Sequence, residues 1–383
     1  MKKIAVFTST RADYGLLYWL LMELKISPLI DLKIIVSGTH LVSDFGSTVN
    51  KITDDGFIIT EKIEMLLASD SNIGIAKSVG LGVIGYAESL ERIQPDCIVI
   101  LGDRFEALAM AQAALLMHVP IAHIHGGEVT HGAYDDAIRH AISKLSYFHF
   151  TSTECHRIRV IQLGECPSRV FNVGALGLDH LDRTKLMNIT ELNEDLGFNL
   201  SKPYFLVTYH PATLANEPVE DSFNELLSAL DNYSGYNILI TYPNADHGGR
   251  RIIEMIDEFA ASQPLRVHAI VSLGQIRYLS VMKFAAAVIG NSSSGLIEAP
   301  SFGIPTINIG DRQAGRTCAS SVLHCKALAK EIKLTIDKGL SSDFSSVVNP
   351  YGQGNAAIKI SKVLESKTAY LAKKFHDVES FKQ

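Results

Sequence analysis

Two rhythms of apolar and polar positions alternate along this chain. Short unbroken apolar runs end in small polar or charged residues, and each is followed by a stretch whose apolar residues recur at helical spacing. Lys3-Ile4-Ala5-Val6-Phe7-Thr8 is the first such run, the pattern of a parallel strand buried on both faces. TSTRADYG and the leucine-rich LLYWLLMELK follow it, then LKIIVSG (32–38), a helix over about 44–54, a short strand near 57–63 and a long helix over about 72–93. CIVILGDRFEALAMAQAALLMHVP, from residue 97, reads as strand, acidic turn and helix. In the next stretch, 121–146, the alternation Ile121, His123, His125 puts both histidines on one strand face, and Asp135 and Asp136 begin a helix. YFHFTST (147–153), a helix over roughly 154–164 and VFNVGALGLD (170–179) complete a β-α alternation, which implies a parallel sheet with right-handed crossovers.

Around Asp182 to Lys202 the pattern turns polar and irregular, which places a domain junction there. The alternation resumes with YFLVTYH (204–210), a helix over about 217–231, NILITYP (237–243), a helix over about 248–261 and LRVHAIVS (265–272). A helix near 275–285, AAVIGNSSSG (286–295), a helix to about 302 and IPTINIG (304–310) follow. The fold class this predicts is α/β, with two Rossmann-like domains facing one another across a cleft. Residues 1–178 make the first domain and 179–359 the second. A terminal helix, roughly Asn355 to Lys374, brings the stretch of about 360–380 back to the first.

Composition narrows the function classes. A chain of 383 residues is long for one core, and 47% hydrophobic against 20% charged residues can bury sizeable cores. A formal charge of −6 and a pI near 6.2 argue against a general nucleic-acid or anionic-membrane binder, but not against an anionic small molecule held by a few arginines. The five cysteines have no CxxC spacing and are odd in number, so they read as reduced cytosolic thiols rather than disulfides or a zinc site. The apolar run Ile4–Phe7 is too short for a signal-peptide core. Ala107 to Ala122 is broken by Gln112, His118 and Pro120, short of a membrane span. The expectation is a soluble, cytoplasmic protein.

Candidate chemistry gathers at predicted strand ends, the edge where α/β folds place ligands. After the first strand, Arg11 could contact phosphate and Asp13 could cap a helix. Asp103 and Arg104 stand where the fourth strand ends, and Glu128, Asp135 and Arg139 follow the fifth. In the second half, Gly290-Asn291-Ser292-Ser293-Ser294-Gly295 leaves a buried strand and opens a helix. Its small residues let backbone N–H groups and hydroxyls approach a diphosphate. Glu298 lies one turn on, placed to accept from ribose hydroxyls, and Arg312 and Arg316 end the next strand. His210-Pro211 closes the first strand of the second domain, and Tyr242-Pro243-Asn244 repeats that design one strand later.

Taken in order, RADYG, GDRFEAL, HIHGGEVTHGAYDDAIRHAISKLS, VTYHP, YPNAD, GNSSSGLIEAPSFGIPTINIGDRQ and YGQGNAA resemble the hydrolysing UDP-N-acetylglucosamine 2-epimerases of the sialic-acid-pathway type, in the glycosyltransferase-B-like superfamily. The motifs run from about residue 9 to residue 357. The resemblance implies no metal and no cofactor, a UDP-sugar substrate held mainly by the second domain, and a homodimer or homotetramer. It assigns UDP contacts to Arg11, Asn244, Ser292, Ser293, Glu298 and Arg312. It places Asp103, Arg104, Glu128, Asp135, Arg139 and His210 around the sugar and the leaving diphosphate. Asp13, His125, Gly174, Asn291, Ser294 and Gly295 complete the binding set. Some relatives read H-x-E-G-G-E, with a carboxylate where this chain has His125.

The implied reaction converts UDP-N-acetylglucosamine and water to N-acetylmannosamine and UDP. The C2 proton is not adjacent to a carbonyl. Breaking the C1–O bond to UDP creates the oxocarbenium character that makes it removable. Elimination gives a 2-acetamidoglycal, and water then adds at C1 with protonation of C2 from the opposite face. Glu128 and Asp103 are the expected proton carriers, Asp135 orients or exchanges roles, and His210 stabilises the diphosphate with the arginines. The same chemistry would serve UDP-2,4-diacetamido-2,4,6-trideoxyglucose. Three rival readings are a two-domain glycosyltransferase, a metal-dependent hydrolase using His123, His125, His131 and an aspartate, and a non-catalytic UDP-sugar sensor.

Overall fold

The computed structural model describes every residue except 43–47, 70, 131–133, 212–218, 244–248 and 379–383. The apolar runs form two parallel sheets. The first contains β1 (Lys2–Thr8), β2 (Ile30–Ser37), β3 (Glu61–Ile63), β4 (Cys97–Leu101), β5 (Ile121–Ile124), β6 (Phe148–Thr151) and β7 (Val170–Asn172), in the order β3-β2-β1-β4-β5-β6-β7. The second contains β8 (Tyr204–Thr208), β9 (Asn237–Thr241), β10 (Val267–Ile270), β11 (Ala287–Gly290), β12 (Thr306–Ile309) and β13 (Val322–Cys325), in the order β10-β9-β8-β11-β12-β13. The direction of winding reverses between β1 and β4 in one sheet and between β8 and β11 in the other.

The helices of the first sheet are α1 (Arg11–Ile26), α2 (Val49–Asp54), α3 (Asn72–Ile93), α4 (Phe105–Leu116), α5 (Tyr134–Leu145), α6 (Glu154–Gln162) and α7 (Asp179–Arg183). The remainder are α8 (Ile189–Leu196), α9 (Val219–Leu230), α10 (Gly249–Ser262), α11 (Gly274–Phe284), α12 (Ser294–Ile297), α13 (Ala329–Ser341) and α14 (Ala356–Ser366). None of the described helices is long and apolar enough to cross a membrane. The chain divides into two compact units, one of Met1–Val129, Tyr134–His180 and Gly354–Gln383, the other mainly Leu181–Gln353.

In the first unit the strand alternation sorts the core onto two faces. Ile4 and Val6 of β1 join Leu17, Leu20, Leu21 and Leu24 of α1 with Ile360 and Leu364 of α14. Ala5 and Phe7 pack on the other face, with Tyr86 and Leu90 of α3 and Met110, Ala113 and Ala114 of α4. Both ends of α14 are tied to this unit. Asp179 accepts from the backbone N–H groups of Ala356 and Ala357 at 2.8 Å each. The Lys2 amine donates to the carbonyls of Leu364, Glu365 and Lys367. These partners satisfy groups that a helix leaves open at its termini.

Three expectations change. The terminal helix stops at Ser366, not Lys374. Beyond it, Lys373 donates to the carbonyls of Lys144 and Ser146 and to the buried Glu165 carboxylate, and the His376 N–H donates to the Gly164 carbonyl, so tertiary bonds replace the helical ladder. The stretch read as irregular holds α8, started by a capping box in which Asn188 accepts from Glu191 N–H and Glu191 accepts from Asn188 N–H. The helix expected to run to about residue 302 is instead α12 followed by a 3₁₀ turn at Ala299–Phe302, where Pro300 removes a backbone donor.

Candidate functional site

The reversal of winding order is where an open α/β sheet leaves a crevice at its carboxyl edge. In the first sheet the turns after β1 and β4 stand there. Thr10 caps α1 by accepting from Asp13 N–H, and Asp13 accepts in return from Ser9 N–H at 2.8 Å and from the Ser9 and Thr10 hydroxyls. Asp13 is therefore a partner of the cap rather than the cap itself. Burial pushes its carboxyl up to about 6, against those hydrogen bonds and the charge of Arg104. Arg104 forks onto the fully buried Glu106 at 3.0 and 3.1 Å, a bidentate pair that fixes its guanidinium. Arg11 is exposed on the first turn of α1.

The loop after β5 departs from the expected alternation. β5 ends at Ile124, and His125 has φ +66°, so it does not share a strand face with His123. His123 is buried, with Nε2 2.7 Å from the Gly102 carbonyl and Nδ1 3.1 Å from the Ser143 hydroxyl. Burial drives its basicity down to about 3, so this imidazole stays neutral and both its nitrogens are used within the fold. His131 lies outside the described residues.

Gly126 and Gly127 let this loop wedge between helices. A Cβ on Gly126 would stand 2.7 Å from the Ser143 hydroxyl of α5, and one on Gly127 2.4 Å from the His156 carbonyl of α6. Guanidinium groups then clamp the loop's carbonyls, Arg159 that of Gly127 and Arg139 that of Glu128 at 3.0 Å. The Arg139 side chain is 4% exposed and also binds Asp103 and Asp136. The result is a fixed position for the Glu128 carboxylate. Its Oε1 accepts from Ser152 at 2.8 Å and lies 3.6 Å from His125 Nδ1. Ser152 is itself 2.9 Å from His156 Nδ1. Asp135, at the start of α5, has its carboxyl pushed up by burial and by Asp103, while Arg104 and Arg139 oppose the shift. Gly174, which the sequence reading expected in the binding set, is buried two residues past β7 with φ +95°, a left-handed position suited to glycine.

In the second unit, β8 and β11 flank the reversal, and their extensions are joined. The Asn291 side chain accepts from His210 N–H at 2.7 Å and donates to the His210 carbonyl at 2.8 Å. Burial, reinforced by Arg312, holds His210 down at about 4, so at neutral pH it offers a hydrogen bond rather than a charge. Gly290 approaches the Thr208 carbonyl so closely that a Cβ would lie 2.0 Å from it. Ser292 and Ser294 hydroxyls are 3.0 Å apart, Ser294 is 2.6 Å from the Tyr278 hydroxyl, and Ser293 is the N-cap of α12. Gly295 is packed against Thr306. With α12 only four residues long, it is small residues and hydroxyls, more than a helix dipole, that an anion would meet here. Arg312 and Gln313 both donate to the Asn291 carbonyl, at 3.1 and 2.8 Å.

Glu298 sits at the end of α12, 8% exposed, and its Oε2 has no hydrogen-bond partner among the described residues. Burial lifts its carboxyl to about 8, against its own backbone N–H and Arg316. A buried acceptor with an open lone pair is fitted to a ligand hydroxyl. Asn244 falls outside the described residues.

Sequence reasoning missed Ser152, His156, Arg159 and Tyr278. Ser152 directly follows β6, the strand next to β5, and His156 stands on the first turn of α6 behind the Thr153 cap, so a run of hydroxyls just before a helix start marks the pair. That signal was present in TSTECH.

Comparison with known proteins supplies the remaining context. A family profile described as UDP-N-acetylglucosamine 2-epimerase matches residues 22–365. The hydrolysing GDP/UDP-N,N'-diacetylbacillosamine 2-epimerase of Campylobacter jejuni is 41% identical over 322 residues, 84% of each chain. The polysialic acid biosynthesis protein P7 of Escherichia coli is 36% identical over 386 residues, 100% of this chain and 97% of the relative. Among solved structures, UDP-GlcNAc 2-epimerase from Neisseria meningitidis, bound to UDP-GlcNAc, superposes with a TM-score of 0.79 at 19% identity. That match covers 96% of this chain and 100% of the other, and it establishes the shared two-sheet, GT-B-like α/β fold.

Proposed function

The chain belongs to the UDP-N-acetylglucosamine 2-epimerase family, and from that premise we propose that it is a hydrolysing UDP-sugar 2-epimerase acting on UDP-N-acetylglucosamine. The observation that carries this reading is the convergence of acid/base groups on Arg139. Asp103 and Asp136 pair with its guanidinium, the Glu128 carbonyl binds it, and Asp135 lies within its field. A glycosyl transfer to an acceptor has no use for such a set, whereas moving a C2 proton off one face and back onto the other needs two differently placed groups.

Glu128 is the base that takes the C2 proton as the C1–O bond breaks and UDP departs with the bonding electrons. The glycal is then hydrated, oxygen bonding to C1 and a proton reaching C2 from the opposite face. Asp103 is engaged by Arg139, which favours an orienting role. Asp135, whose environment raises its proton affinity, is the better acid. UDP is held by Asn291, Ser292, Ser293, Ser294 and Gly295 with Arg312, the ribose hydroxyls donate to Glu298, and neutral His210 donates to the diphosphate. Arg11 and Arg104 add positive charge on the first unit.

A second substrate, UDP-N,N'-diacetylbacillosamine, is favoured by the name of the Campylobacter jejuni relative. The name of the Escherichia coli relative supports a product destined for sialic-acid-type sugars. Each nucleotide sugar is to be incubated with the protein in deuterated water and followed by NMR. Released UDP and deuterium at C2 of a free, manno-configured sugar are expected. An intact nucleotide sugar, or a product without the label, would overturn the proposal.

A further inference from the structure

We propose that Ser152 and His156 form a positioning relay that keeps Glu128 ionised and aimed, so that it works as a base. The inference rests on the catalytic reading of Glu128 given above. Ser152 is 1% exposed, in the β6–α6 connection, and His156 is 2% exposed, on α6. Burying a hydroxyl and an imidazole is costly unless their hydrogen bonds are made. Here the bonds run in one line toward a single carboxylate oxygen, 2.9 Å from His156 Nδ1 to Ser152 Oγ and 2.8 Å from Ser152 Oγ to Glu128 Oε1.

A hydroxyl has one proton to give. Ser152 gives it to Glu128, so the hydrogen between Ser152 and His156 comes from the imidazole, which fixes the Nδ1–H tautomer. The chain then donates in one direction, toward the carboxylate, and a carboxylate that accepts such bonds holds its charge to lower pH. The wedged Gly126-Gly127 turn serves the same end. Gly127 lies against the His156 carbonyl, so the backbone that carries Glu128 and the helix that carries His156 are in contact.

Other titratable and charged groups stand on the elements packed around this loop. His125 lies 3.6 Å from the Glu128 carboxylate, on the same loop. His123 lies on β5, Asp103 at the end of β4, Asp135, Asp136 and Arg139 on α5, and Arg159 on α6. Arg139 and Arg159 bind the loop's carbonyls. Ser152 donates directly to Glu128 Oε1.

The test compares Ser152→Ala, His156→Leu and His156→Asn with the unsubstituted protein in pH profiles of kcat/KM, with UDP affinity by calorimetry as the check on folding. Ser152→Ala is expected to move the acid limb up by about one pH unit and to lower kcat about tenfold or more, leaving UDP affinity intact. His156→Leu should move the limb the same way. His156→Asn, whose amide nitrogen takes the place of Nδ1, should restore the original limb. A folded, UDP-binding Ser152→Ala whose rate falls evenly at every pH, or not at all, would overturn the relay.

A second readout needs no turnover. The ¹³C carboxyl resonance of Glu128, identified by its loss in Glu128→Gln, should titrate at higher pH in Ser152→Ala. If the unsubstituted protein releases no UDP, the functional reading fails while this titration still decides the relay.

Discussion

At the scale of single residues, two carboxylates carry separable predictions. Glu128→Gln keeps the acceptor shape but cannot take a proton. Turnover should drop by about 10²–10⁴ while UDP binding, which the proposed function assigns mainly to the other unit, stays within a factor of two or so. Equal loss of both, measured by UDP release and by calorimetry, would reassign Glu128 to holding the loop. Glu298 is lifted from 4.5 to about 8 by burial. Between those values the folded protein binds more protons than the unfolded chain, so stability should fall as pH rises through the window. Glu298→Gln should flatten that slope in thermal melts at pH 5 and pH 8. The same substitution removes an ionised acceptor and should weaken UDP about tenfold or more above pH 8.

The residue types at both sites were legible because strand ends, glycines and charge clusters are local signals. Their partners were not. Ser152 looked like one hydroxyl among three in TST, and only the pairing of β5 with β6 brings it beside Glu128. His125 was misplaced for the opposite reason: a period-two pattern continued on paper through a residue whose backbone turns left-handed in the fold.

At the scale of elements, the turn from β5 to Glu128 carries the prediction. Gly127 has φ +80°, and its Cβ would overlap a backbone carbonyl that α6 cannot easily move. Gly127→Ala should cost about 1–3 kcal/mol by chemical denaturation. It should also reduce turnover more than UDP affinity, since it displaces the carboxylate that the turn presents. A variant with wild-type kinetics and stability would show that the wedge is not tight.

Most elements could be read from hydrophobic period because buried parallel strands and amphipathic helices write it plainly. The exceptions had physical causes. α8 is signalled by its capping box more than by its composition, the turn after α12 is set by Pro300, and the chain after Ser366 follows Glu165 and Gly164 instead of its own helical pattern.

At the scale of the whole molecule, the α/β class and the parallel winding of both sheets followed from alternation alone, and the family profile covers most of the chain. The substrate's sugar did not follow, because substituents at C4 and C6 would be met by loop side chains, whose identity no period encodes.

The way α14 closes the first unit bears on the order in which this protein can be made. The second unit is almost one continuous stretch, while the first needs residues from both ends of the chain. During synthesis the apolar face of α1 must wait until residues 356–366 have emerged, although β1 and α1 were made first. A chain stopped at residue 353 should therefore give a protease-resistant core from the second unit and a digestible first unit. Supplying Ala356–Ser366 as a separate peptide should restore some protection. Resistance of both units in the shortened chain would mean that α14 merely decorates a unit already able to fold.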